Sequence, residues 1–116
     1  MRKLIVLMMI VLFAGLTICT FAAAEKAEDN YKLYCFQCHG TKGSGGGINA
    51  SYLTTAPRDH TSAADMKKLT DDNIFTAIKE GGVAVSKSTF MPPWKSILSD
   101  AEIKDIVKHL HGLCKC

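Results

Sequence analysis

The pentapeptide Cys35-Phe36-Gln37-Cys38-His39 sets two thiols three positions apart and an imidazole directly after the second. That spacing suits covalent haem attachment. Each sulfur adds across one vinyl group, the two intervening residues match the separation of the vinyls, and the histidine ring reaches the iron from the proximal side. Two other chemistries use a Cys-x-x-Cys pair. A thioredoxin-like dithiol sits at the start of a helix that follows a strand in a βαβ unit, and this sequence has no such alternation. A zinc site could join Cys35 and Cys38 to Cys114 and Cys116, both pairs having ligand-like spacing.

Upstream of the pentapeptide the chain reads as an address. Met1-Arg2-Lys3 is a short positive region, Leu4 to Ile18 is an apolar run, and Ala22-x-Ala24 supplies small side chains for a cleavage pocket. Residues 1–24 are therefore expected to be a signal peptide cleaved after Ala24, which leaves 92 of the 116 residues, 25–116, as one domain. An uncleaved anchor over Leu4 to Ala24, which would tie the protein to a membrane, or lipidation at Cys19, are the other readings of this segment. The expected location is periplasmic. Taking Arg2 and Lys3 from the 14 basic residues leaves 12 against 11 acidic ones, so the formal charge of +3 overstates the mature protein's. No basic stripe or basic-aromatic pattern suggests nucleic acid as a partner.

Downstream, the sequence reads as helices separated by long loops, an all-α chain. Ala27, Tyr31 and Tyr34 or Cys35 recur at helical spacing across 25–36. Five glycines in Gly40 to Gly47 break regular structure and are expected to pack beside one haem edge. A short turn is expected over 63–68. Thr70 then caps a helix bearing Ile74, Phe75 and Ile78 that stops at Gly81-Gly82. Pro92-Pro93 excludes helix from 83–97. Ser99-x-x-Glu102 is a capping box that opens the last helix, with Ile103, Ile106, Val107 and Leu110 on its buried side and Gly112 at its end.

A six-coordinate iron needs a second axial ligand, and a methionine thioether is the common soft choice. Past the leader only Met66 and Met91 remain. Met91 lies in Thr89-Phe90-Met91-Pro92-Pro93-Trp94, a stretch held extended by its prolines, far enough beyond His39 to cross to the opposite haem face. Met66 falls on an amphipathic turn and reads as core. His60 reads as a solvated loop residue, His109 as a packed helix residue, and bis-His ligation through these or His111 is the second reading of the site.

These residues together resemble the class I cytochrome c family, in particular its small bacterial periplasmic single-haem members. The carriers are Cys35-Phe36-Gln37-Cys38-His39-Gly40, Ala56-Pro57-Arg58-Asp59, Ile78-Lys79-Glu80-Gly81-Gly82, Phe90-Met91-Pro92-Pro93-Trp94 and Leu98-Ser99-Asp100-Ala101-Glu102-Ile103. The resemblance implies the cytochrome c fold, with N- and C-terminal helices crossing beside a covalently bound haem c, one per chain. It implies that Ala27 and Tyr31 form that crossing, where His109 stands in place of the family's usual aromatic. It further implies a backbone carbonyl at Pro57 orienting His39, and propionate donors at Arg58 and Trp94.

With His39 and Met91 both on the iron, the expected role is electron transfer rather than catalysis: a one-electron carrier between periplasmic or membrane redox proteins. Lys32, Lys42, Lys87 and Lys95 are candidates to steer acidic partners to the exposed edge. The alternative is an open or displaceable sixth position, used by a redox enzyme subunit or a ligand sensor. A monomer is expected, with a dimer bridged through Cys114 or Cys116 as the other possibility.

Overall fold

The computed structural model describes residues 26–116; the expected leader, its cleavage site and Cys19 lie outside the described residues. Helix α1 covers residues 26–34, and after a single turn residue α2 takes up Phe36–His39. Helices α3, α4 and α5 are Ala63–Met66, Asp71–Glu80 and Asp100–Cys114, and short 3-10 turns sit at Ala50–Tyr52 and Gly82–Val85. No strand forms among the described residues.

Caps written in the sequence fix where the helices start. The Ser62 hydroxyl accepts from the Asp65 amide at the head of α3. Thr70 and Asn73 cap α4 reciprocally, and Ser99 and Glu102 do so at α5, each pair satisfying amides that a helix start leaves without partners. The Glu102 carboxylate also meets Lys26 Nζ at 3.0 Å, which ties the start of α1 to the start of α5.

The core lies between α1, α4 and α5. Tyr31, Ile74, Ile78, Leu98, Ile103, Ile106, Val107 and Leu110 are buried in one cluster with Met66. At roughly 1.5–3 kcal/mol for each fully buried large apolar side chain, this cluster is the main source of stability that the side chains supply. Ala27 and Tyr31 are 2% and 1% exposed, and the Tyr31 ring lies 5.3 Å from that of His109 on α5. His109 therefore stands in the contact between the first and last helices where an aromatic was expected.

Three expectations are corrected. Helical structure continues past 36 as α2, with a break at Cys35. Helix α5 runs through Gly112 to Cys114 and closes on Lys115, which takes the left-handed conformation at φ 53°. Its last turn is held by packing: Cys114 is buried, and Leu113 lies against the core. The glycine loop packs against Tyr31, His60 and Leu113, which surround Gly43, and its glycines do not line the cavity described next.

Candidate functional site

A cavity of about 670 Å3 opens between α2, the loop before α3, α4, and the segment after α4. That volume falls in the range of about 300–1,000 Å3 typical of cofactor and ligand sites. Cys35, Cys38 and His39 line one part of it, and Pro57 and Arg58 another. Met91 and Trp94 also face it, so all seven residues singled out from the sequence border one space. Met66 does too, while being wholly buried, so its core position and a cavity-facing position coincide. Ile74, Ile78, Ile106 and Leu110 add apolar walls.

The attachment helix is pinned from outside. Its carbonyls have no helical partner beyond α2, and the glycine loop provides them. The amides of Gly45, Gly47 and Asn49 donate to the carbonyls of His39, Cys38 and Gln37 at 2.8, 3.0 and 2.8 Å. At Gly47 the loop runs so close that a Cβ would overlap the Gln37 carbonyl. The Tyr31 hydroxyl donates to the Gly40 carbonyl at 3.0 Å, joining α1 to the same loop.

His39 is oriented by backbone. Its Nδ1 lies 3.1 Å from the Arg58 carbonyl, one residue beyond the Pro57 carbonyl expected from the sequence. Because a carbonyl only accepts, Nδ1 carries the proton and Nε2 keeps its lone pair for a metal. Burial holds the His39 pKa below its ordinary value, against the Arg58 carbonyl, which raises it. Burial, with Cys38 alongside, pushes the Cys35 thiol up to about 12.

His60 is not solvated. It is 8% exposed and stacks on His39 with ring centroids 4.3 Å apart and 16° between planes. Its amide donates to the Gly43 carbonyl, and its Nδ1 is buried without a hydrogen-bond partner among the described residues. Burial, reinforced by His39 and Arg58, lowers its pKa to about 3, so the ring is neutral. The polar run Arg58-Asp59-His60-Thr61 carries no periodicity that would have revealed this position.

Met91 is held by the end of α4. The Gly82 amide donates to the Met91 carbonyl at 3.0 Å, and the Trp94 amide donates to the Ile78 carbonyl at 3.0 Å. Gly82 has no room for a side chain: a Cβ there would meet the Ser88 carbonyl and stand 3.2 Å from the Met91 Cβ. The Gly81-Gly82 pair thus ends α4 and admits the methionine segment against it. The Trp94 and Tyr34 rings meet in a tilted contact, with centroids 5.2 Å apart and 46° between planes, and Arg58 has no ion-pair partner among the described residues.

Two thiols, an imidazole with a free Nε2, a thioether and an uncompensated guanidinium around a largely apolar cavity fit a covalently held haem. Of the four lysines considered for steering, Lys87 lines the cavity, whereas Lys32 and Lys95 pair with Glu28 and Glu80 at 2.7 and 2.6 Å. At the far end of α5, Cys114 and Cys116 form an intrachain disulfide, so in this state neither is available to bridge a dimer.

Residues 22–110 match the family model described as cytochrome c oxidase, cbb3-type, subunit III. Among solved structures, one described as KustC0563 c-type cytochrome superposes with a TM-score of 0.61 at 26% identity, covering 75% of this chain and 95% of that one. No curated protein matches the chain.

Proposed function

Since the chain belongs to the cytochrome c family represented by the cbb3-type oxidase subunit III domain, whose chemistry is haem-based electron transfer, we propose that it is a one-electron carrier with His39 and Met91 as the axial pair of a single haem c. The observation that carries this reading is the shared cavity. The imidazole whose Nδ1 is committed to the Arg58 carbonyl and the methionine segment anchored to Gly82 border the same space.

When bound, the haem supplies Fe(III)/Fe(II) exchange. Cys35 and Cys38 would hold it through thioethers. The Arg58 carbonyl keeps His39 in the tautomer that presents Nε2, and raises its basicity. Apolar walls from α4 and α5 exclude water. Arg58 and Trp94 are donors for the propionates. If His39 and Met91 both held the iron, they would leave no position for oxygen or peroxide, and the useful reaction would be electron exchange with partner redox proteins of the periplasm or membrane. Residues 1–24 act as the export leader in this reading; an intact mass matching a chain that starts at Glu25 would support it, and one starting at Met1 would reject it.

Carbon monoxide tests the ligation. The reduced protein is expected to bind it negligibly on mixing, and Met91→Ala is expected to bind it rapidly and stoichiometrically. Fast stoichiometric binding by the unaltered protein would instead establish the open-site alternative, a redox enzyme subunit or ligand sensor. A Met91→Ala variant with unchanged spectrum and no binding would remove Met91 from the iron.

A further inference from the structure

The cysteine pair at the end of α5 takes no part in haem binding, and its surroundings hold more than a disulfide. A ring nitrogen of His111 and the sulfurs of Cys114 and Cys116 all lie within 4.8 Å of one another. The Cys116 sulfur is 3.9 Å from His111 Nδ1. Tetrahedral zinc with bonds of about 2.3 Å to sulfur and about 2.0 Å to nitrogen places such donors roughly 3.5–3.8 Å apart. The nitrogen and the Cys116 sulfur already stand close to that spacing.

A second observation, on a different helix, points the same way. His111 Nε2 lies 2.8 Å from Asp71 Oδ1 at the start of α4. An ionised carboxylate only accepts, so Nε2 is the donor and the ring is fixed with Nδ1 turned towards the sulfurs. This carboxylate–imidazole arrangement is the one that orients metal-binding histidines.

We propose that His111, Cys114 and Cys116 form a redox-gated zinc site, closed as the disulfide and opened by reduction. A dithiol reductant attacks the exposed Cys116 sulfur as its thiolate. The Cys114–Cys116 bond breaks, Cys114 leaves as a thiolate that takes a proton, and a mixed disulfide forms at Cys116. The reductant's second thiol resolves it, so the protein gains two thiols and the reductant becomes a cyclic disulfide. Zn2+ then takes both sulfurs as thiolates, releasing two protons, with His111 Nδ1 as third ligand and a water in the fourth position. Mixed thiolate and imidazole donors suit zinc. In the haem-loaded protein Cys35 and Cys38 are consumed as thioethers and cannot compete.

The test is native mass spectrometry of the haem-loaded protein with Zn2+ alone, before and after anaerobic reduction by a phosphine and desalting. One zinc per reduced chain and none per oxidised chain is expected, with the thiols then protected from alkylation. His111→Ala and Asp71→Asn are each expected to weaken binding by about 10-fold or more while leaving the haem spectrum unchanged. The proposal is overturned if the reduced protein takes no zinc, if the oxidised protein or a Cys114→Ser/Cys116→Ser variant takes as much, or if His111→Ala binds as tightly as the unaltered chain.

Discussion

Gly47→Ala places one methyl group where the glycine loop touches the attachment helix. The added Cβ would lie 2.5 Å from the Gln37 carbonyl carbon and 2.6 Å from the Cys38 carbonyl carbon, against 3.4 Å or more for ordinary contact. Both neighbours are backbone, so no side chain can rotate away and the loop must retreat by about 0.8–0.9 Å. The three amide-to-carbonyl bonds from Gly45, Gly47 and Asn49, now 2.8 to 3.0 Å, would then stretch to around 3.6 Å, beyond useful hydrogen-bond length. At about 1 kcal/mol net for each bond the loss is about 3 kcal/mol, offset by about 0.5–1 kcal/mol from the stiffer unfolded chain. The net cost is about 2 kcal/mol, or roughly 8–16 °C in Tm for a domain of this size. Gly112→Ala is the control, because nothing lies within 4 Å of its Cβ and it sits inside α5; it is expected to stabilise by about 0.5–1 kcal/mol. Thermal unfolding of the haem-loaded proteins by far-ultraviolet circular dichroism measures both. A Gly47→Ala variant within about 0.5 kcal/mol of the unaltered protein would refute the idea that this loop clamps the attachment helix.

Tyr31→Phe removes the bond to the Gly40 carbonyl, which still accepts from the Gly43 amide at 3.0 Å. Nothing is orphaned, so denaturant unfolding should show a loss of only about 0.5–1.5 kcal/mol. Bonds from Ser99, with help from Lys26, hold the Glu102 carboxyl down to about 2 from its ordinary 4.5. A depressed carboxyl stabilises the fold above its unfolded pKa, so this contribution is complete above about pH 5 and fades as pH falls towards 2. Acid titration of Glu102→Gln should show a flatter decline across that window than the unaltered chain. Met66 is wholly buried, and Met66→Leu conserves volume; ultraviolet-visible spectra should show unchanged ligation, with less than about 1.5 kcal/mol lost in unfolding.

The parts of this molecule legible in its sequence are those set by short, fixed spacings. Thr70 and Ser99 announce their helices because a capping side chain bonds an amide three residues on. Ala27 and Tyr31 share a face because four residues make about one helical turn. The haem-binding pentapeptide is legible for the same reason, its geometry being internal to five residues. What escaped was fixed by chain closure over longer distances. The carbonyl on His39 comes from Arg58 rather than Pro57 because the return path is set by how tightly the glycine loop lies on α2, and no local spacing encodes that.

His60 and the end of α5 show the same limit from two sides. A histidine within Asp59-His60-Thr61 reads as solvated, yet the bond from its amide to Gly43 swings its ring between His39 and Tyr31. Glycine at 112 reads as a helix stop, since it is the residue that adopts a left-handed cap at least cost. The helix instead passes through it and leaves Lys115 in that conformation, at about 1–2 kcal/mol. Leu113 and Cys114, packed on the core side, make the extra turn worthwhile, and the bond between Cys114 and Cys116 fixes the reversal across Lys115. The same extension keeps both cysteine sulfurs within 4.8 Å of a His111 ring nitrogen. A helix that stopped at Gly112 would have no such cluster, so the departure from local propensity and the candidate metal site have one structural origin.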